Sequence, residues 1–122
     1  VIDHIGFEVA DLDRTAAFYD PVFFALGGRR MVDSERAVAY GINAPVVWFT
    51  MRGRAPASGY GHLALRASGK VAVDAGYAAG LAHGGTETAP ASPPGLRPRY
   101  GNRYYAAYLA DPDGLRVELV AR

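Results

Sequence analysis

His4, His62 and Glu118 are the residues of this chain whose types best suit metal or acid–base chemistry. Imidazole and carboxylate ligate first-row divalent ions and exchange protons at accessible pH. Each of the three lies in a stretch of alternating polar and apolar side chains, so each belongs to one face of a strand. His4 shares its face with Gly6 and Glu8, opposite Ile5, Phe7 and Val9. His62 shares its face with Ala64 and Arg66, opposite Leu63, Leu65 and Ala67. Glu118 shares its face with Arg116, opposite Leu115, Val117 and Leu119. The large apolar faces must bury against helices, which leaves the polar faces for a site. Two imidazoles and one carboxylate match a facial triad, which keeps coordination positions open for water or substrate.

The elements that must position these residues follow in order. Residues 2–9 read as a strand. Asp11 offers an N-cap to a helix starting at Leu12, with Leu12, Ala16, Tyr19, Phe23 and Leu26 on one face. Pro21 is expected to kink or interrupt that helix, because it lacks an N–H and clashes with the preceding turn. Gly27-Gly28 ends it. Residues 29–51 read as three short strands with turns at Asp33-Ser34 and Asn43-Ala44-Pro45, and 52–59 as a linker. Then the pattern restarts. Residues 60–67 form a strand, and Ser68 is the expected cap of a second helix reaching Ala82 before Gly84-Gly85. Thr86 to Thr88 is a short strand. Residues 89–99 are too rich in proline for regular structure. Arg103 to Ala110 and Leu115 to Ala121 form a closing hairpin turned at Asp111-Pro112-Asp113-Gly114. The order is β-α-β-β-β, linker, β-α-β-β-β. Tyr19 and Tyr77 each follow the first-strand histidine of their half by fifteen residues. Internal duplication is the economical reading.

Size and composition bound the function. The 122 residues suit one domain, 1–122, built of modules at about 1–52 and 59–122. The net charge of +1 comes from 13 basic and 12 acidic side chains without a basic block, which argues against nucleic acid or a membrane surface as partner. The absence of cysteine excludes disulfides and thiolate metal sites and is compatible with a cytoplasmic setting. No apolar run approaches the ~18 residues of a spanning helix. Val1-Ile2-Asp3-His4 lacks the pattern of a signal peptide.

Three segments carry a resemblance to a known family. His4-Ile5-Gly6-Phe7-Glu8-Val9-Ala10-Asp11-Leu12-Asp13-Arg14, with Ala17-Phe18-Tyr19-Asp20 after it, resembles the opening of vicinal-oxygen-chelate proteins, the glyoxalase/bleomycin-resistance/dioxygenase superfamily. Gly61-His62-Leu63-Ala64-Leu65 resembles the start of their second module. Tyr104 to Leu119 resembles their closing hairpin, most specifically in its Asp-Pro-Asp-Gly turn with a Glu four residues after the Gly. The resemblance implies an α+β fold: two tandem βαβββ modules forming a cupped, incompletely closed mixed β-sheet barrel with helices outside. It further implies a small-molecule substrate or ligand, a homodimer, and metal positions at His4, His62 and Glu118. The ion would be Zn, Ni, Mn or Fe(II), acting as Lewis acid toward neighbouring substrate oxygens. The fourth family position falls on Trp48. Members that isomerise hemithioacetals have a carboxylate there, and an indole can neither ligate nor take a proton. That argues against a glyoxalase I activity. Lyase, ring-cleaving dioxygenase and group-transfer chemistry stay open, and the alternative is a metal-free, ligand-sequestering protein.

Catalytic roles are assigned to Glu118 and Tyr104, and ligand contacts to Trp48, Arg66, Tyr100 and Arg103. Plainer roles stand beside these. Trp48 serves equally as core filler or as a stacking surface. Glu8, Arg66 and Arg116 read either as a salt-bridged lining or as substrate contacts, with the structural role preferred for Arg116. Of Tyr104, Tyr105 and Tyr108, at least one belongs to the core and at least one to the cup. The Pro-rich loop flanked by Tyr100 and Arg103 is a candidate lid. His83, beside two glycines at a helix end, is expected in solvent.

Overall fold

The alternating N-terminal segment forms β1 (Ile5–Val9), and Asp11 caps the helix α1 (Leu12–Ala25) by accepting the Arg14 amide at 3.2 Å. The computed structural model describes residues 1–57, 61–89 and 91–122. Contrary to the sequence expectation, α1 runs through Pro21 without interruption. Pro21 forfeits one backbone bond, and complete burial of Phe18, Tyr19 and Val22 around it offsets that loss. Strands β2 (Arg29–Asp33), β3 (Ala37–Gly41) and β4 (Val47–Met51) complete the first module. Its sheet has the order β1-β4-β3-β2, with β1 and β4 parallel.

The second module repeats the plan. It holds β5 (His62–Arg66), α2 (Lys70–Ala82), the short β6 (Thr86–Glu87) and β7 (Gly95–Leu96), β8 (Tyr105–Ala110) and β9 (Arg116–Ala121). The order is β5-β9-β8-β6, with β7 also on β8 and β5 parallel to β9. In both modules the first strand therefore lies beside the last. Two local expectations are corrected. The N-cap of α2 is Gly69 rather than Ser68, and no side chain caps it. The Pro-rich stretch contains β7 and a 3-10 turn, Pro98–Tyr100. Arg97 holds this stretch down by donating to the carbonyls of Ala91, Pro93 and Ala106. That anchoring also counts against a freely moving lid.

Each helix covers the apolar face of its own sheet, and the helices pack against each other. Two glycines on α2 permit the close approach. A Cβ at Gly80 would meet Leu109 at 2.3 Å and Phe18 at 3.2 Å, and one at Gly76 would meet Leu119 at 2.8 Å. One core results, from Tyr40 and Phe49 through Phe18 and Val73 to Leu109 and Leu119. The polar sheet faces are left open, as expected of a cup that is not a closed barrel. No described helix is long and apolar enough to cross a membrane.

The closing turn ties the modules together. Asp111 is buried and accepts the Tyr19 hydroxyl at 2.7 Å and the amides of Asp113 and Leu115 at 2.9 Å. Asp113 accepts the Ala10 amide and the Arg14 guanidinium. Burial pushes the Asp111 carboxyl above its ordinary range, while the Tyr19 and backbone donors pull it back down.

Candidate functional site

Strand register sets the open face of the second sheet. His62 lies opposite Arg116, Ala64 opposite Glu118 and Arg66 opposite Val120, while Tyr108 lies opposite Glu118 from the other side. Because side chains alternate, these residues project together, away from the helices. Their centre is Glu118, only 3% exposed. Its Oε2 lies 3.2 Å from His62 Nε2. Its Oε1 accepts the Tyr104 hydroxyl at 2.6 Å and the Tyr108 hydroxyl at 3.1 Å. A buried carboxylate is costly unless its lone pairs are met, and here three donors can meet them. The hydrogen bond to Glu118, assisted by burial, pushes the Tyr104 hydroxyl up to about 12. Tyr104 therefore stays protonated and donates. Tyr105 turns to the other face, packing against the core and bonding Asp74 at 2.6 Å.

The open face of the first sheet holds a different set. His4 stands before β1, 2.6 Å from Asp3 Oδ1, with its ring centroid 6.2 Å from that of Trp48. Trp48 is half-buried, and its indole N–H donates to the Pro45 carbonyl at 3.0 Å. Glu8 pairs with Arg54 at 2.8 Å and Arg52 at 3.4 Å. The Arg54 hydrogen bond holds its carboxyl below the ordinary value.

The structure thus brings His62, Glu118 and Tyr104 together and sets His4 beside Trp48 on the other sheet. Among the described residues no group of three or more His, Cys, Asp or Glu side chains is placed to hold an ion. His62 and Glu118 are ligand types for two positions of a divalent site, and the described residues of one chain do not supply the third. A cavity of about 510 Å³ lies between β1 and the segments that begin β5 and β9, lined by Ile5, Phe7, Glu8, His62, Asp113 and Leu115 among others. It lies where β1 and β5, each at the end of its sheet's order, present edges with no partner strand among the described residues.

The remaining candidates are more dispersed. Arg66 is exposed on the His62 face. Tyr100 is 58% exposed, with its ring 5.4 Å from Tyr104. Arg103 lines a separate crevice with Lys70 and Arg122. His83 is in solvent. The salt-bridged lining expected of Glu8, Arg66 and Arg116 does not form as a set, since Glu8 turns to Arg52 and Arg54. Sequence reasoning missed the state of Arg116, which has no carboxylate within ion-pair reach among the described residues. Its only signal was a cation on the polar face beside Glu118.

The chain matches the family model of the Glyoxalase/Bleomycin resistance protein/Dioxygenase superfamily over residues 1–119. It is similar in structure to a glyoxalase/bleomycin resistance protein from Albidiferax ferrireducens T118, at 31% identity and a TM-score of 0.82, covering 98% of this chain and 96% of that one. The fosfomycin resistance protein FosX from Mesorhizobium loti shares the fold at 21% identity and a TM-score of 0.72, covering 100% and 92%. Lactoylglutathione lyase from Agrobacterium tumefaciens does so at 24% identity and a TM-score of 0.66, covering 98% and 92%. No curated protein sequence matches the chain.

Proposed function

Because this chain belongs to the Glyoxalase/Bleomycin resistance protein/Dioxygenase superfamily, we propose that it is a small-molecule enzyme centred on His62, Glu118 and Tyr104, completed by His4 of a second copy. The observation that carries this reading is the His62–Glu118 pair on an open sheet face, with the carboxylate fixed by two tyrosine hydroxyls. Imidazole and carboxylate are ligand types for Zn, Ni, Mn or Fe(II). Bound there, such an ion would supply Lewis acidity toward neighbouring substrate oxygens.

The chain's own residues do the rest. Glu118 holds its carboxyl group in a fixed orientation, because both oxygens have partners. Tyr104 and Tyr108 orient that carboxylate and are hydrogen-bond donors rather than bases. Trp48 presents an apolar wall beside His4. A proton-shuttle isomerase of the glyoxalase I type is disfavoured, because no proton acceptor occupies the Trp48 position.

Dimerisation is supported by the two unpartnered edges, β1 and β5, and by exposed Val1, Ile2, Ile5 and Val46 at the β1 end. Exposed edges and apolar side chains of this kind are commonly covered by association. A symmetric pair would join two different edges twice over, giving two equivalent sites.

The deciding experiment is the metal content of the purified protein by mass spectrometry, with its mass in solution by light scattering. A dimer with one ion per chain, lost in His4→Ala and in His62→Ala, is expected. A monomer without affinity for Zn, Ni, Mn or Fe(II) would remove the metal reading. The second reading is metal-free ligand sequestration, favoured by the tyrosine partners already on Glu118 and the missing third ligand within one chain. It predicts ligand quenching of Trp48 fluorescence that persists in chelator.

A further inference from the structure

Arg116 lies two residues before Glu118 on β9, with its guanidinium over Tyr108 and no ion-pair partner among the described residues. Its strand position is opposite His62 on β5 and Ala110 on β8, so it projects onto the same open face. The guanidinium carbon lies 4.5 Å from the Tyr108 ring centroid, over the ring whose hydroxyl donates to Glu118. Its Nε is buried without a hydrogen-bond partner. Among the described residues no carboxylate lies within ion-pair distance of it, and no carbonyl accepts from its amino groups. The nearest carboxylate along its own face, Glu118, is already committed to His62, Tyr104 and Tyr108.

Contrast within the same sheet shows what a structural arginine looks like here. Arg97 also lies over the Tyr108 ring, at 5.7 Å, and its Nε is equally without a partner, but its amino group meets three carbonyls that fix the Pro-rich loop. Arg116 fixes nothing comparable. Burying part of a guanidinium without an acceptor costs free energy, and stacking on an aromatic ring recovers only a fraction of it. Stacking also holds the planar fork in one orientation, which suits two parallel bonds to a carboxylate or phosphoryl group. Arg66, exposed on the same face, adds a second cation with no ion-pair partner among the described residues.

We propose that Arg116 is the specificity-determining residue of this site and that the substrate carries an oxyanion, a carboxylate or a phosphoryl group, which the Arg116 fork receives on the face it shares with His62. The proposal rests on the reading of this sheet face as the substrate site, but not on metal occupancy.

The test is a nuclear magnetic resonance titration of the full-length protein in chelator, following the arginine Nε–Hε signals. Methylphosphonate, acetate and neutral acetamide are added in separate arms. The Arg116 signal, assigned by its loss in Arg116→Gln, is expected to shift saturably with one or both anions and to stay still with acetamide. The more effective anion identifies the headgroup. Arg116→Gln is expected to weaken that anion's binding by roughly ten- to hundredfold, and Arg116→Lys by less. Arg116→Lys removes the same arginine signal, so it supplies the assignment if Arg116→Gln fails to fold. A signal unmoved by either anion would overturn the proposal, including the case in which a carboxylate from a second copy already occupies the fork. Binding that is equally tight in Arg116→Gln would overturn it as well. Anion binding through Arg116 in a protein that takes up no metal would sink the metal reading alone.

Discussion

The two modules share a strand plan but load it differently. Each puts a histidine at the head of its first strand, beside the last strand of the same sheet. In the second module the neighbour is Glu118, buried and held by Tyr104 and Tyr108. In the first it is Trp48, whose indole N–H is committed to the Pro45 carbonyl. One face gathers an imidazole, a carboxylate and two phenols, while on the other His4 meets Asp3 and Trp48 and Glu8 turns to Arg52 and Arg54. Duplicated backbones thus provide equivalent positions, while side-chain identity decides which of them can do chemistry. The fifteen-residue tyrosines diverge in the same way. Tyr19 reaches across the modules to buried Asp111, whereas Tyr77 bonds Glu87 and Ser92 within its own module.

The largest effect is expected at the tyrosine corners. Asp111→Ala should cost about 3 kcal/mol of unfolding free energy in urea, because it strands the Tyr19 hydroxyl and two turn amides. Tyr77→Phe should cost about 1 kcal/mol, since one of its partners, Glu87, is exposed to water. Equal losses would show that the corners are equivalent after all.

Next is the identity of the first-module neighbour. Trp48→Glu puts a carboxylate beside His4, where the carboxylate of Glu8 is turned to Arg52 and Arg54. By calorimetric titration it should bind Ni or Zn about tenfold more tightly than the wild type. An unchanged affinity would mean that this wall does not face the metal centre.

Tyr104 gives a pH test of the loaded face. Its hydroxyl is pushed up to about 12, mainly by the bond to Glu118. The folded value lies above that of the unfolded chain. Its contribution to stability is therefore complete below about pH 10 and is lost as pH rises through 12. In Glu118→Gln, a tyrosine should move down toward 10 in a difference titration at the phenolate absorbance band. No movement would separate Tyr104 from Glu118 in solution.

The smallest effect is expected at Glu8. Its pairs with Arg52 and Arg54 are exposed to water and screened by salt. Glu8→Gln should leave the urea midpoint unchanged. A clear drop would show that the first face is more tightly built than its exposure suggests.

Much of this was legible in the chain. Alternation of Leu63 and Leu65 with His62 and Arg66 fixed which side of a strand is polar, because a half-buried sheet allows only one register. The Asp111 to Gly114 turn and the Asp11 cap follow from local side-chain to backbone bonding. Pro21 misled, because a local penalty was outweighed by the burial of neighbours contributed by other elements. Arg116 misled for the opposite reason: a cation near acidic residues in sequence had none within reach in space. His4 shows the same limit, since its place on a polar face could be read, but its distance from Glu118 within one chain could not.

The sequence by itself determined the two-module plan, the polar face of each strand and the residue types available for chemistry, because these depend on periodicity and on contacts a few residues apart. Tertiary structure decided which residues meet. The close packing of α1 against α2 through Gly76 and Gly80 leaves the two polar faces open and divides the triad into His4 and the His62–Glu118 pair. That division depends on how two sheets and two helices fill one core, which no local pattern encodes.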